Sequence, residues 1–293
     1  MKNYGADRMK TSVKIAMASI FAVIAAALII SVVFSGNKKD ADYEKALALY
    51  GKGDTEGAYE YFSSLYGYKD SADYAEKIFA NTKIASVRFV EAGDILTFGR
   101  YEQDNDEKNG AEEIEWIVLE KRGESALVLS RYALDSMAFD PPGGGNDWEQ
   151  SSVRRWLNRS FLLFSFDPCE QARIEETVLY ENGEPYKEAD CIFLLSVEDV
   201  NKYMKENADR ACEATKYAIA MGAHTDESHL YDRYNHEIEA PPRCHWWLRT
   251  PGKTEGTVIS IYSSGKINSD GNQPDDDYRS VRPAKWIDLR MPE

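Results

Sequence analysis

Gln273-Pro274-Asp275 runs straight into Asp276 and Asp277, a density of hard oxygen donors suited to Ca2+, with Asp275 and Asp277 as its ligands. A second acidic stretch, Asp104-Asn105-Asp106-Glu107-Lys108-Asn109-Gly110, has some of the alternation of a calcium loop. Lys108 takes its fifth position, where an oxygen ligand is needed, so a polar loop between two strands accounts for it better. All four histidines, His224, His229, His236 and His245, fall within twenty-two residues, together with Cys244. Imidazole and thiolate are the usual zinc ligands, but this spacing fits no helical or finger pattern and reads as loop decoration. No resident cofactor is expected, and calcium at Asp275 and Asp277 is the metal favoured among these readings.

Nucleophilic and redox motifs are absent from the chain. Cys169, Cys191, Cys212 and Cys244 are widely and irregularly spaced, with no Cys-x-x-Cys. An even count permits two disulfides in three connectivities, and free buried thiols explain the same residues equally well. There is no Gly-x-Ser-x-Gly elbow, phosphate loop or His-Glu-x-x-His. With 50 Asp and Glu in the chain, a pair of neighbouring carboxylates carries little information about catalysis.

Charge narrows the partners. Residues 1–39 hold six of the 35 basic and one of the 50 acidic side chains, which leaves a net −20 on the remainder. Such a field repels phosphate backbones and anionic headgroups, so nucleic acid is not an expected partner. Residues 15–34 are uncharged and flanked by Lys10, Lys14, Lys38 and Lys39. At 1.5 Å per residue that length matches the hydrocarbon core, which predicts an uncleaved transmembrane helix over 15–36, with residues 1–14 as a cytoplasmic tail. The expected location is the cell membrane, crossed once, with the C-terminal domain outside.

The elements that must position the side chains change character along the chain. Over 40–82, Tyr43, Ala46, Leu47 and Tyr50, then Ala58, Tyr59, Phe62 and Leu65, then Ala72, Ala75 and Ile78 fall at helical spacing, with breaks at Gly51–Asp54 and Tyr68–Ser71. This predicts a short helical, tetratricopeptide-like stalk, too few repeats for a solenoid. Beyond it, strands are expected at Ile95–Phe98, Ile114–Leu119, Ala126–Ser130, Ile192–Leu195, Thr257–Tyr262 and Val281–Ile287. Helices are expected at Ser152–Asn158, Pro168–Glu176, Val197–Glu206 and Thr215–Ala220. Without a βαβ rhythm, the class is α+β.

Certain motifs recur in a recognisable order: Gly99-Arg100-Tyr101-Glu102-Gln103-Asp104, Ile114-Glu115-Trp116, Arg154 with Trp156-Leu157-Asn158, Ile192-Phe193-Leu194-Leu195-Ser196, Trp246-Trp247-Leu248-Arg249-Thr250-Pro251-Gly252 and Val281-Arg282-Pro283-Ala284. As a set they resemble an uncharacterised bacterial domain family of exported and membrane-anchored Gram-positive proteins. That family is distantly similar to the formylglycine-generating-enzyme branch of the C-type-lectin-like fold. The resemblance implies a C-type-lectin-like domain over 85–290, with a twisted antiparallel sheet and long loops. It does not bring catalysis, because Cys212 and Cys244 lack the close spacing of that enzyme's copper-binding pair. Nor does the Gln273-Pro274-Asp275 tripeptide, which such lectins use around calcium, precede the Trp-Asn-Asp strand they carry.

The aromatic and basic residues of these motifs have two readings. Trp116, Trp156, Trp246, Trp247, Arg249, Arg282 and Trp286 read first as core staples, since indoles bury large areas and guanidinium groups stack on rings. The second reading is a ligand pocket drawn from Trp246, Trp247, Arg249, Arg282 and Trp148. The functional expectation is a membrane-anchored, extracellular, non-catalytic module that recognises a glycan or a protein. The alternatives are an enzyme of unrecognised type or a structural or sensory ectodomain.

Overall fold

The computed structural model describes residues 38–79, 90–226 and 242–290, which fall into two compact units dividing between Ile78 and Phe79. In the first unit a helix over 38–51 stops at Gly53, whose positive φ of 82° suits a residue without Cβ. Asp54 caps the next helix, Thr55–Ser64, by accepting the Gly57 amide at 3.0 Å. A third helix, Ser71–Phe79, follows. The predicted apolar stripes meet in a small core of Tyr43, Ala46, Ala58, Phe62, Leu65, Ala75 and Ile78, where the Phe62 and Tyr74 rings stack 4.6 Å apart.

The second unit is α+β and holds two five-stranded sheets. One contains, in spatial order, β1 (Ile95–Tyr101), β2 (Glu112–Arg122), β3 (Ser125–Ser130), β14 (Ala284–Asp288) and β5 (Ile174–Glu175), all antiparallel. Period-two alternation on β2 buries Ile114, Trp116 and Val118. Gly123 at φ 61° lets β2 turn into β3 within two residues, with Arg122 opposite Ser125. The other sheet runs β12 (Ile267–Asn272), β11 (Val258–Ile261), β10 (Trp246–Pro251), β13 (Ser280–Val281) and β4 (Asp135–Ser136). Here β10 and β13 are parallel.

Four buried indoles pin these layers, and each has a partner for its N–H. Trp116 donates to the Phe98 carbonyl at 2.7 Å, Trp148 to the Asp190 carboxylate at 2.8 Å, Trp246 to the Arg210 carbonyl and Trp247 to the Met137 carbonyl at 3.0 Å. Lys285 is buried on the core face of β14, with Nζ 3.6 to 4.1 Å from the ring centres of Phe166, Trp116 and Phe98. Burial holds this amine well below the usual lysine range, against the Glu170 carboxylate, which acts to raise it.

Several expectations are corrected. The α+β class and an antiparallel sheet are present, but among the described residues a second five-stranded sheet, which is mixed, and two two-stranded ladders accompany it. The span expected over 15–36 lies outside the described residues, and among the described residues no helix is long and apolar enough to cross a membrane. Ile192–Leu195 is not a strand, apart from a bridge between Phe193 and Ala284. Side chains satisfy its backbone instead: Asn158 accepts the Cys191 and Ile192 amides and donates to the Ile192 carbonyl, while Arg249 takes the Leu194 carbonyl. The helix expected over Pro168–Glu176 ends at Gln171, because Ile174 and Glu175 pair with β14. Val281–Ile287 divides into β13 and β14 around Arg282 and Pro283, two short strands in different sheets.

Candidate functional site

Alternation on β14 sends Lys285 and Ile287 into the core and sets Trp286 on the opposite face. There Trp286 lies directly across from Leu127 of β3, and the Arg122 guanidinium sits 4.7 Å from its ring centre. These residues form one wall of a cleft of about 330 Å3. The other wall comes from the helix Val197–Tyr203 and from the stretch Val178-Leu179-Tyr180, whose Tyr180 is 53% exposed.

The helix is held in place at its start. Ser196 accepts the Asp199 amide at 3.0 Å, and the Asp199 carboxylate accepts the Ser196 amide at 2.8 Å, a complete capping box. The same carboxylate oxygen takes Arg249 Nη1 at 2.7 Å. Arg249, buried on β10 at the cleft floor, also donates to the carbonyls of Leu194 at 2.7 Å and Tyr180 at 3.3 Å. One guanidinium therefore ties both halves of the second wall to the sheet beneath. Beside it, Thr250 accepts the Val197 amide at 3.0 Å.

The rim is a charged network centred on Glu120. Its carboxylate accepts from Tyr203, from Lys202 at 3.1 Å and from Arg122 at 3.3 Å. The Tyr203 hydroxyl, with Lys202 and Arg122, holds the Glu120 carboxyl below its ordinary range, against its partial burial. Burial, followed by that carboxylate, pushes the Tyr203 phenol up. The cleft thus presents aromatic faces on Trp286 and Tyr180 beside carboxylates, a guanidinium and an ammonium. This is an arrangement for holding a polar ligand with apolar faces.

A second group positions the first. Asp190, 1% exposed, accepts from Trp148 Nε1, from Arg154 Nε at 2.6 Å and from Asn158 Nδ2 at 3.2 Å. Asn158 lies in the π-helical turn Leu157–Phe161, and its amide fastens residues 191 and 192, the start of the segment leading to Ser196. The Arg154-x-Trp156-Leu157-Asn158 motif is thereby a clamp on the approach to the cleft.

The residues singled out from sequence distribute unevenly. Trp148, Trp246, Trp247 and Arg282 lie in the interior, and of the five pocket candidates Arg249 alone lines this cleft. Trp286, read as a staple, instead faces the cleft, as its place one residue from the inward Lys285 could have indicated. Asp275 and Asp277 are exposed on the turn between β12 and β13 and, among the described residues, are not brought into a cluster with a third carboxylate, His or Cys. Such a grouping among the described residues is Glu102, Asp104 and Glu112, around the β1–β2 loop. Loop amides engage them: Glu112 accepts Gln103 N, and Asp104 and Glu102 both accept Asp106 N.

His229 and His236 lie outside the described residues, while the His224 and His245 rings are 4.9 Å apart. Burial, helped by Arg279 and His224 and opposed by Asp226, lowers His245 to about 4, and its Nδ1 lies 2.5 Å from Arg279 Nη1. A ring kept neutral in the fold but titrating near 6.5 when unfolded supplies stability above that pH and loses it as the pH falls toward 4. Urea denaturation should therefore show stability falling by about 2 kcal/mol across this window, after a discount for the ring's partial exposure, and His245→Phe should flatten that slope.

With this geometry in hand, comparison with known proteins adds a family and no activity. Neither the curated proteins nor the solved structures contain a match, so the likeness to formylglycine-generating enzymes and C-type lectins is without support. Residues 123–289, more than half the chain, match a family described as a domain of unknown function, DUF6273. That span contains β3, β14, Arg249, Asp190 and the Val197–Tyr203 helix, and the chain belongs to the DUF6273 family.

Proposed function

We propose that the second unit is a non-catalytic binding module and that its cleft recognises a glycan. The observation that carries this reading is Trp286, turned away from the core by strand alternation and presented beside a polar rim at the mouth of a cleft with a fixed floor. Sugars offer apolar C–H faces and a ring of hydroxyls. An indole with a guanidinium over its ring, in a cleft also lined by the Glu198 and Asp199 carboxylates, offers both kinds of contact, and the capping box and Arg249 hold the cleft in shape before the ligand arrives.

Binding rather than turnover is favoured by how the polar groups are used. Asp199 is committed to the helix cap and to Arg249, and Glu120 to Tyr203, Lys202 and Arg122. Neither is left as a general base beside an activated nucleophile. A glycan array probed with the full chain, once with calcium and once with chelator, tests the reading. The expected result is a set of hits that survive chelation, because the cleft's donors are organised by side-chain cations rather than around a metal. A blank array, or hits that vanish with chelator, would overturn it.

A further inference from the structure

Cys212 and Cys244 are direct partners in a two-stranded antiparallel ladder formed by β8 (Cys212–Glu213) and β9 (Arg243–Cys244). Partners in such a ladder have Cα atoms about 4.5–5.5 Å apart and side chains on one face, inside the range a disulfide spans. Both thiols are buried, and the Cys212 thiol donates to the Glu213 carbonyl at 3.4 Å. Cys169 sits in the helix Pro168–Gln171 and Cys191 beside the Asp190 clamp, and no strand pairing joins those two.

A second, independent feature faces the pair. Arg282 is 2% exposed and its Nη1 has no hydrogen-bond partner among the described residues. Its guanidinium donates to the Ser130 and Arg131 carbonyls, and Arg131 O also receives the Cys212 thiol at 3.8 Å. Burial acts to raise the Cys212 thiol, yet the Cys244 hydrogen bond and the Arg282 charge bring it below its ordinary range. Cys244 is held well above that range by the same hydrogen bond and by burial. Cys212 is thus the easier of the two thiols to ionise and Cys244 the harder, the asymmetry of a pair that exchanges with disulfides.

We propose that Cys212 and Cys244 form an intramolecular disulfide that clamps β8 to β9 when the protein meets a low-molecular-weight disulfide. The Cys212 thiolate attacks one sulfur of RSSR, forming a mixed disulfide and releasing RS−. Cys244, on losing its proton, then attacks the Cys212 sulfur and releases the second RS−. Two protein thiols and RSSR become one protein disulfide and two RSH, with both protons passing to the released thiolates. The bond closes a loop of about 30 residues and leaves Arg282 in its place behind the ladder.

The test uses the full chain and oxidised glutathione, followed by alkylation of remaining thiols and peptide mapping by mass spectrometry. The expected product joins Cys212 to Cys244, about 2 Da lighter than the reduced pair, with Cys169 and Cys191 recovered alkylated after unfolding. Its melting temperature should exceed that of the reduced protein by roughly 5–10 °C, and the increment should be missing from Cys212→Ser and Cys244→Ser. Refolding from urea in the same glutathione buffer exposes every thiol and removes access as a variable. Recovery of Cys212 and Cys244 as alkylated thiols after that refolding, or a bond mapped to Cys169 or Cys191, would overturn the assignment. The mapping does not depend on any glycan, so its outcome is independent of the cleft reading.

Discussion

Asp190→Ala should cost the second unit about 3–5 kcal/mol, read as a lower urea midpoint and a melting temperature down by roughly 10 °C. The size follows from what the carboxylate holds. Arg154 is 12% exposed in its side chain and loses its buried ionic partner, while Trp148 Nε1 and Asn158 Nδ2 lose an acceptor in the interior. Trp148 Nε1 then carries its desolvation cost without compensation, whereas Asn158 Nδ2 keeps the Ile192 and Arg154 carbonyls. Arg154 keeps a contact with Glu188 at 3.3 Å, but that carboxylate is largely in water and contributes little. Asp190→Asn, which preserves shape and an acceptor for Trp148, should fall between wild type and Asp190→Ala. Combining Asp190→Leu with Arg154→Met should be milder than Asp190→Ala alone, because no charge is left unpaired. If Asp190→Ala matched wild type within 1 kcal/mol, the clamp account would be wrong.

Trp286→Ala should weaken glycan binding at least tenfold, and by up to about a hundredfold, while leaving the fold intact. Trp286 is part-exposed on the outer face of β14, so its removal opens no interior cavity, and the four buried indoles that staple the sheets are untouched. Arg249→Lys tests a different function. A lysine cannot reach Asp199, the Leu194 carbonyl and the Tyr180 carbonyl together, so the second wall should loosen and affinity fall without loss of any ring that touches the ligand. Isothermal titration of the two variants against an array hit separates the platform from its scaffold.

Much of the architecture was legible in the sequence because period sets burial. Three helices in the first unit and the strands at Ile95, Ile114, Ala126 and Thr257 follow from apolar spacing alone. What was not legible depends on partners distant in the chain. Ile192–Leu195 has strand composition but has its hydrogen bonds made by Asn158 and Arg249, which no local pattern reveals. Ile174–Glu175 is recruited from an expected helix by an edge of β14. Lys285 breaks the rule that charges face water, and the rings of Phe98, Trp116 and Phe166 that receive it come from three separate segments. The site suffered most: tryptophans announce themselves by type, yet only the phase of β14 tells that Trp286 faces outward while Trp246 and Trp247 are enclosed.

The cleft reading is tested most directly by following the six tryptophan indole N–H resonances of the 15N-labelled chain during titration with a glycan that scores on the array. The account predicts that Trp286 shifts first and furthest, that Trp116, Trp148, Trp246 and Trp247 hold their positions, and that Trp286→Ala removes the saturable response. Saturable binding that leaves the Trp286 indole unmoved would contradict it.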